Sequence, residues 1–290
     1  MSNVLIRTLC WGQAMEALQN YPLEPAPITG VVKITTTRHC WMQCRFCDFS
    51  HFTPVLYDTK IPSCLPLEVA ESRLAQMPSA VGLIKIRGGL SFREPFTYFR
   101  SLVKTVADGF RGPIQAFSPI EVNQWHRVEQ RPVRELLAEL KWAGASGLGP
   151  GGSEILMQSW RDRLSPHRIE ATAWASLAQL GWEIGLPPSA MILAGQWLSE
   201  SDIKSHLQML SAYSWHHIEV KVFRAVAMQP ELEAMHILSL CRLVSETRDT
   251  LTDTPIYVNE PPGGLSHDAR ILLSRSGADG FYTTLEAIEP

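Results

Sequence analysis

Short runs rich in β-branched residues alternate with longer amphipathic stretches from one end of the chain to the other, and this alternation limits the fold more than any other feature. Strands are expected at 31–36, 83–87, 113–117, 145–148, 190–194, 217–223, 255–258 and 279–282. The intervening stretches carry apolar residues at helical spacing. Leu67, Ala70, Leu74 and Met77 share one face, and Val133, Leu136, Leu137 and Leu140 share another that stops at Gly144, a residue suited to the position just past a helix end. Ser165 as N-cap with Pro166 at the first helical position opens a third helix, which is expected to bury Ile169, Ala173, Leu177 and Leu180 before Gly181. Further helices are expected over 96–107, 199–212, 231–246 and 266–275.

Alternation of this kind implies parallel strands joined by right-handed crossovers. Eight strand candidates in 290 residues fit an α/β fold, a compact TIM-like (β/α)8 barrel, complete or else partial and irregular toward its end. An open doubly wound sheet is the alternative. With 45% hydrophobic residues the chain can bury one large core, and no charge run or Ser/Gly-rich linker divides it. Residues 31–290 therefore read as a single domain, preceded by a short helix and an extended lead-in over 1–30, where Pro22, Pro25 and Pro27 fall. Lys and Arg number 26 against 29 Asp and Glu, so no basic excess exists to neutralise a phosphate backbone, and a nucleic-acid partner is not expected. No apolar run approaches the roughly 18 residues of a membrane helix, and the first residues lack a signal-peptide pattern. A cytoplasmic location and no membrane partner are the corresponding expectations.

In a β/α barrel the chemistry sits at the C-terminal ends of the strands. The unusual residues of this chain fall there. Of six cysteines, Cys10, Cys64 and Cys241 stand alone, whereas Cys40, Cys44 and Cys47 lie on the loop after the first strand. Their spacing is C-x3-C-x2-C, with Phe46 directly before the third cysteine. Thiolates are soft ligands that favour iron–sulfur clusters and zinc. Three of them on a four-iron cluster leave one iron without a protein ligand, an open position of the kind catalytic metal sites keep. A structural zinc ion wants four ligands, and His39 or His51 is at hand as the fourth. The second strand end carries Gly88–Gly89, the third Ser118 to Glu121, and the fourth Gly149, Gly151 and Gly152.

The C-x3-C-x-aromatic-C loop after the first strand resembles the signature of the radical S-adenosylmethionine (radical SAM) enzymes. The resemblance implies that Cys40, Cys44 and Cys47 ligate one 4Fe-4S cluster, that SAM chelates its open iron, and that one-electron reduction breaks the C5′–S bond to give a 5′-deoxyadenosyl radical. It places Phe46 near the adenine and Gly88 and Gly89 near the amino group of SAM. Within the superfamily, Gly88-Gly-Leu-Ser91, Ala116-Phe-Ser118-Pro-Ile-Glu121, Pro150-Gly-Gly-Ser-Glu154-Ile-Leu156 followed by Trp160-Arg161, and Ala190-Met-Ile-Leu-Ala-Gly195 are similar to motifs of one branch. That branch comprises aminofutalosine synthase, cyclic dehypoxanthinyl futalosine synthase and the tyrosine-using half of the deazaflavin-core (FO) synthase.

Carried over residue by residue, Ser118, Glu121, Glu154 and Arg161 are SAM contacts. Ser118 and Glu121 suit its ribose hydroxyls or amino group, and Arg161 suits its carboxylate through bidentate guanidinium geometry. Structural readings stand beside these: Glu121 as a carboxylate favoured by a helix N-terminus, Arg161 as a solvated helix arginine. The chain departs from the branch at Leu90, where the superfamily often has an acid, at Ser91-Phe92 in place of His-Pro, and at Gln196 in place of His. The substrate of the relatives therefore does not carry over. The resemblance implies an enzyme acting on a small aromatic or unsaturated precursor, by addition of the adenosyl radical or by hydrogen abstraction, with a flavodoxin- or ferredoxin-type reductant. The competing class is a zinc-stabilised binding protein.

Overall fold

The computed structural model describes residues 24–49, 64–223 and 235–290. Seven strands, β1 (Ile28–Thr35), β2 (Val81–Arg87), β3 (Ile114–Ala116), β4 (Ala190–Ala194), β5 (Ile218–Val222), β6 (Ile256–Asn259) and β7 (Gly280–Ile288), form one sheet in the order β3-β2-β1-β7-β6-β5-β4. Every pairing is parallel. The break between β3 and β4 is spanned by two bridge residues: Gly147 pairs with Gln115 and Leu148 with Pro188. Ala116 N–H donates to Gly147 O at 2.9 Å and Ser189 N–H to Leu148 O at 3.1 Å, so the stretch expected to be a strand at 145–148 joins the two edges as a minimal eighth member. The expected barrel is thus present, irregular at the fourth position rather than at its end. β1 begins at Ile28, so the lead-in is shorter than the 1–30 expected, and Pro27 O already accepts the Phe281 N–H of β7. The expected helix near the N-terminus falls on residues 1–23, outside the described residues.

Nine helices are described: α1 (Leu67–Leu74), α2 (Phe96–Gly109), α3 (Pro119–Glu129), α4 (Val133–Ala143), α5 (Gln158–Leu164), α6 (Ala171–Ile184), α7 (Glu200–Ser211), α8 (Ile237–Thr250) and α9 (His267–Arg275). They cover the outer face of the strands. Val32, Ile34, Ile84 and Ile86 point outward into a core shared with α1, α2 and α4, while Ile192, Val220, Val258 and Phe281 join the core under α6 to α9. Each such side chain contributes about 1.5 to 3 kcal/mol by leaving water. α4 ends as the sequence implies, with Gly144 left-handed at φ 114°. α6 does not begin as expected. Its first residue is Ala171 and its stop is Gly185; Trp174, Ala175 and Ala178 are buried in place of Ala173 and Leu177. The Ser165–Pro166 start fails because 165–170 is held out of the helix: Arg161 donates to Ile169 O, and Arg168 is drawn to Glu154. The beginning of the helix expected over 231–246 lies outside the described residues. Among the described residues no helix is long and apolar enough to cross a membrane.

Side chains alternate across each strand, so Val31, Leu83, Tyr257 and Tyr282 face the barrel axis and close its lower end. Above them the interior is polar. Lys85 Nζ on β2 lies 2.7 Å from Glu219 Oε2 on β5, strands that are not neighbours in the sheet, so this ion pair crosses the barrel. Asn259 Nδ2 also donates to Glu219, at 2.7 Å.

Candidate active site

The cysteine loop leaves β1 at the barrel mouth and lies directly on the turn that follows β2. Thr36 N–H donates to Arg87 O, Gly89 N–H to Thr37 O at 2.8 Å, and Trp41 N–H to Leu90 O at 3.3 Å, which stitches the two loops together. A Cβ on Gly89 would stand 2.2 Å from His39 O and 3.0 Å from Cys40 Cβ; on Gly88 it would stand 2.0 Å from Thr36 Oγ1. The glycine pair is therefore required by the close approach of the cysteine loop itself, whatever else it contacts. Gln43, between the first two cysteines, is left-handed at φ 53°.

Cys40 and Cys44 are buried, Cys47 is half-buried, and none of the three is in a disulfide. Burial pushes the Cys44 thiol up to about 12 against the pull of Arg168, and it raises Cys40 as well. Arg168 is buried beside them, its guanidinium 5.0 Å from the Phe46 ring centroid. Burial works against its charge, but Cys44, Glu154 and Cys47 outweigh that and hold it protonated. Among the described residues no three His, Cys, Asp or Glu side chains converge as a single metal ion requires. His39 is buried with both ring nitrogens unpartnered, kept neutral by burial and by Arg93, and it does not close a four-ligand zinc site. His51 lies outside the described residues. A cubane cluster takes its ligands on separate corners, so it needs a wall of thiols rather than a point. A soft donor set on one loop, facing a buried guanidinium that offsets thiolate charge, fits a 4Fe-4S cluster.

The other expected site residues fall at the same mouth, with their polar groups engaged. Phe117 takes a left-handed φ of 60°, unusual for a bulky residue, and turns the chain so that α3 starts under the β2 turn. Glu121, in the first turn of α3, accepts Gly88 N–H at 3.0 Å and Ser118 Oγ–H at 2.8 Å. Burial pushes its carboxyl from 4.5 to about 7 despite those two donors. Glu121 thus pins the glycine turn in place. Glu154 accepts Gly152 N–H at 2.9 Å and pairs with Arg168; burial raises its pKa, but Arg168 outweighs that and holds it below the usual range. Arg161 is fully buried rather than solvated, donating to the carbonyls of Gly152, Ile155 and Ile169. Trp41 donates to Gln124 Oε1 at 3.3 Å and stacks on Phe92, whose ring centroid is 5.9 Å away. A roomier apolar cleft of about 150 Å³ lies elsewhere, between α6 and α7, and no charged group converges on it.

Reading motifs alone missed Arg168 and the charged interior of the barrel. The interior was findable: in a barrel clothed by helices, Lys33, Lys85, Glu219 and Lys221 have only the axis to face.

No protein-family model matches the chain. Aminodeoxyfutalosine synthase of Thermus thermophilus is 23% identical over 203 residues, 69% of this chain and 53% of the relative. Cyclic dehypoxanthine futalosine synthase of Halalkalibacterium halodurans is 29% identical over 190 residues, 64% and 50%. The chain spans about half the length of these relatives. Among solved structures, methylornithine synthase superposes with a TM-score of 0.70 at 14% identity, covering 97% of this chain and 80% of the other, which speaks to the fold. FO synthase of Mycobacterium leprae matches over 61% of the chain at 28% identity. The chain is similar to the futalosine and FO synthases, the branch of the radical SAM superfamily that its strand-end motifs resemble.

Proposed function

We propose that the protein is a radical SAM enzyme that splits S-adenosylmethionine at the barrel mouth and turns the resulting radical on a small aromatic or unsaturated precursor. The observation that carries this reading is the cysteine loop seated on the Gly88–Gly89 turn, with Arg168 buried behind its thiols. Cys40, Cys44 and Cys47 hold the cluster. Once loaded, the cluster would supply a single electron, drawn from a flavodoxin- or ferredoxin-type donor, for reductive cleavage of the C5′–S bond of SAM.

The residues of the chain bind, orient and shield. Gly88 and Gly89 let the cysteine loop close onto the end of β2, and Glu121 with Ser118 fixes that turn, a positioning role. Phe46 offers an aromatic face beside the last cysteine. Arg161 and Glu154 brace the turn after Leu148, which forms the wall opposite. The apolar cluster of Leu193, Phe223, Trp197 and Trp160 on the β4 and β5 side of the mouth limits water there, which suits a primary carbon radical. A reducing, cytoplasmic setting belongs to the same reading.

The test is anaerobic incubation of iron-loaded protein with SAM and dithionite. The reading predicts dithionite-dependent loss of SAM, with the adenosyl group recovered as 5′-deoxyadenosine when hydrogen is abstracted or within product when the radical adds. Iron-loaded protein that leaves SAM intact would contradict it.

A further inference from the structure

The upper interior of the barrel carries more positive charge than the chain itself neutralises. Lys85 and Glu219 cross the axis as an ion pair. Alternation then fixes their neighbours: Lys33 is the register partner of Lys85, Arg87 lies two residues further along β2, and Lys221 two residues further along β5. The residues between them, Ile34, Ile86 and Val220, point outward into the helix-covered cores, which leaves the axis to Lys33, Arg87 and Lys221. Lys33 and Arg87 from the neighbouring strands β1 and β2 thus face Lys221, which comes from β5 across the barrel. Glu219 is already held by Lys85, Asn259 and Gln115; Glu154 by Arg168; and Glu260 by Arg270. Arg87 is exposed, with its guanidinium 5.9 Å from the Phe49 ring centroid, and among the described residues neither it nor Lys33 or Lys221 is in an ion pair. Burial and mutual repulsion lower Lys33 to about 7, with Arg87 and Lys221 the main neighbours, and burial and Arg87 lower Lys221 against the pull of Glu154, Cys47 and Asp48. Glu154, Cys47 and Asp48 offset part of the charge at Lys221 and Glu219 part of that at Lys33; the repulsion that remains is a cost that an incoming anion removes.

We propose that Lys33, Arg87 and Lys221 form a cradle for the acid group of the substrate, which is therefore an oxyanion carrying two negative charges, as paired carboxylates or a phosphate. The proposal rests on the radical SAM reading for what happens next, but the cradle exists without it. It sits below the cysteine loop on the barrel axis, so a molecule anchored there by its acid end presents its other end to the strand ends. Lys33 and Lys221 act as point charges on flexible stems, and Arg87 adds a planar fork that fits either oxyanion.

Titration calorimetry on the iron-loaded protein, with malonate and pyrophosphate as probes and malonamide as the uncharged match for malonate, tests this. Malonate or pyrophosphate is expected to bind and malonamide not to, and the two arms separate carboxylate from phosphate preference. Lys33→Gln, Arg87→Gln and Lys221→Gln are each expected to weaken the favoured probe about tenfold or more, the loss of one charge-assisted contact, while Lys33→Arg retains most of it. Equal binding of malonate and malonamide, or unchanged affinity in all three Gln variants, would overturn the proposal. So would competition between the probe and saturating SAM, since the cradle would then belong to the carboxylate of SAM. Failure of SAM cleavage with intact probe binding would instead sink the catalytic reading alone.

Discussion

The two ends of the barrel interior obey opposite rules. At the lower end Val31, Leu83 and Tyr282 are buried against one another, and the rings of Tyr257 and Tyr282 stack with centroids 4.7 Å apart. One layer higher the axis holds Lys33 and Lys85, on the same strands as Val31 and Leu83, together with Glu219 from β5, and above that Arg87 and Lys221. The lower layer stabilises by removing apolar surface from water; the upper one is organised around charge at a cost in stability. Residues two apart in a strand thus serve folding and function respectively, and substitutions should separate the two.

The largest effect is expected where the layers meet. Lys85→Met leaves Glu219 buried without its partner and should cost about 3 to 5 kcal/mol in urea unfolding, whereas Lys85→Met with Glu219→Leu should recover most of it. A full cost in the double variant would show that the crossing pair is not the source. Next comes Glu121. Its folded carboxyl titrates near 7 against 4.5 ordinarily, so the folded chain binds more protons than the unfolded one between those values. Stability should therefore be complete below about pH 4.5 and fall by on the order of 3 kcal/mol as pH rises through 7, a slope that Glu121→Gln abolishes. A flat profile in the parent protein would remove the desolvation argument. Val31→Ala in the lower layer should cost about 2 kcal/mol through lost burial and a cavity. Lys33→Met, one step up the same strand, should cost nothing or stabilise slightly, because it removes a repelled, half-buried cation. A loss at Lys33 equal to that at Val31 would erase the contrast.

Those two neighbours also show what could be read from the sequence. The strands were legible because apolar runs bounded by Gly and Pro mark them, and 190–194 falls where β4 lies. The cysteine loop and the glycine pair were legible because their chemistry needs particular residue types at fixed spacing. The order of layers was not. The alternation in Val31-Val-Lys33-Ile or Ile218-Glu219-Val-Lys221 is identical whether the polar face meets solvent or a barrel axis, and only the pairing of strands decides between them. The start of α6 was misplaced for a related reason: Ser165–Pro166 is a sound local helix signal, overridden by Arg161 and Arg168, which hold 165–170 through partners far along the chain. The roles given to Arg161 and Glu121 followed motif position, whereas their hydrogen bonds run to the protein's own backbone.

Cys40, Cys44 and Cys47 are predicted to hold iron in the form of a 4Fe-4S cluster. Iron and acid-labile sulfide, determined on anaerobically prepared protein and on the variants Cys40→Ala, Cys44→Ala, Cys47→Ala and Cys64→Ala, test this most directly. About four irons and four sulfides per chain are predicted for the parent and for Cys64→Ala, with both lost in each of the other three. One zinc per chain without sulfide, or a full iron complement in Cys44→Ala, would contradict the account.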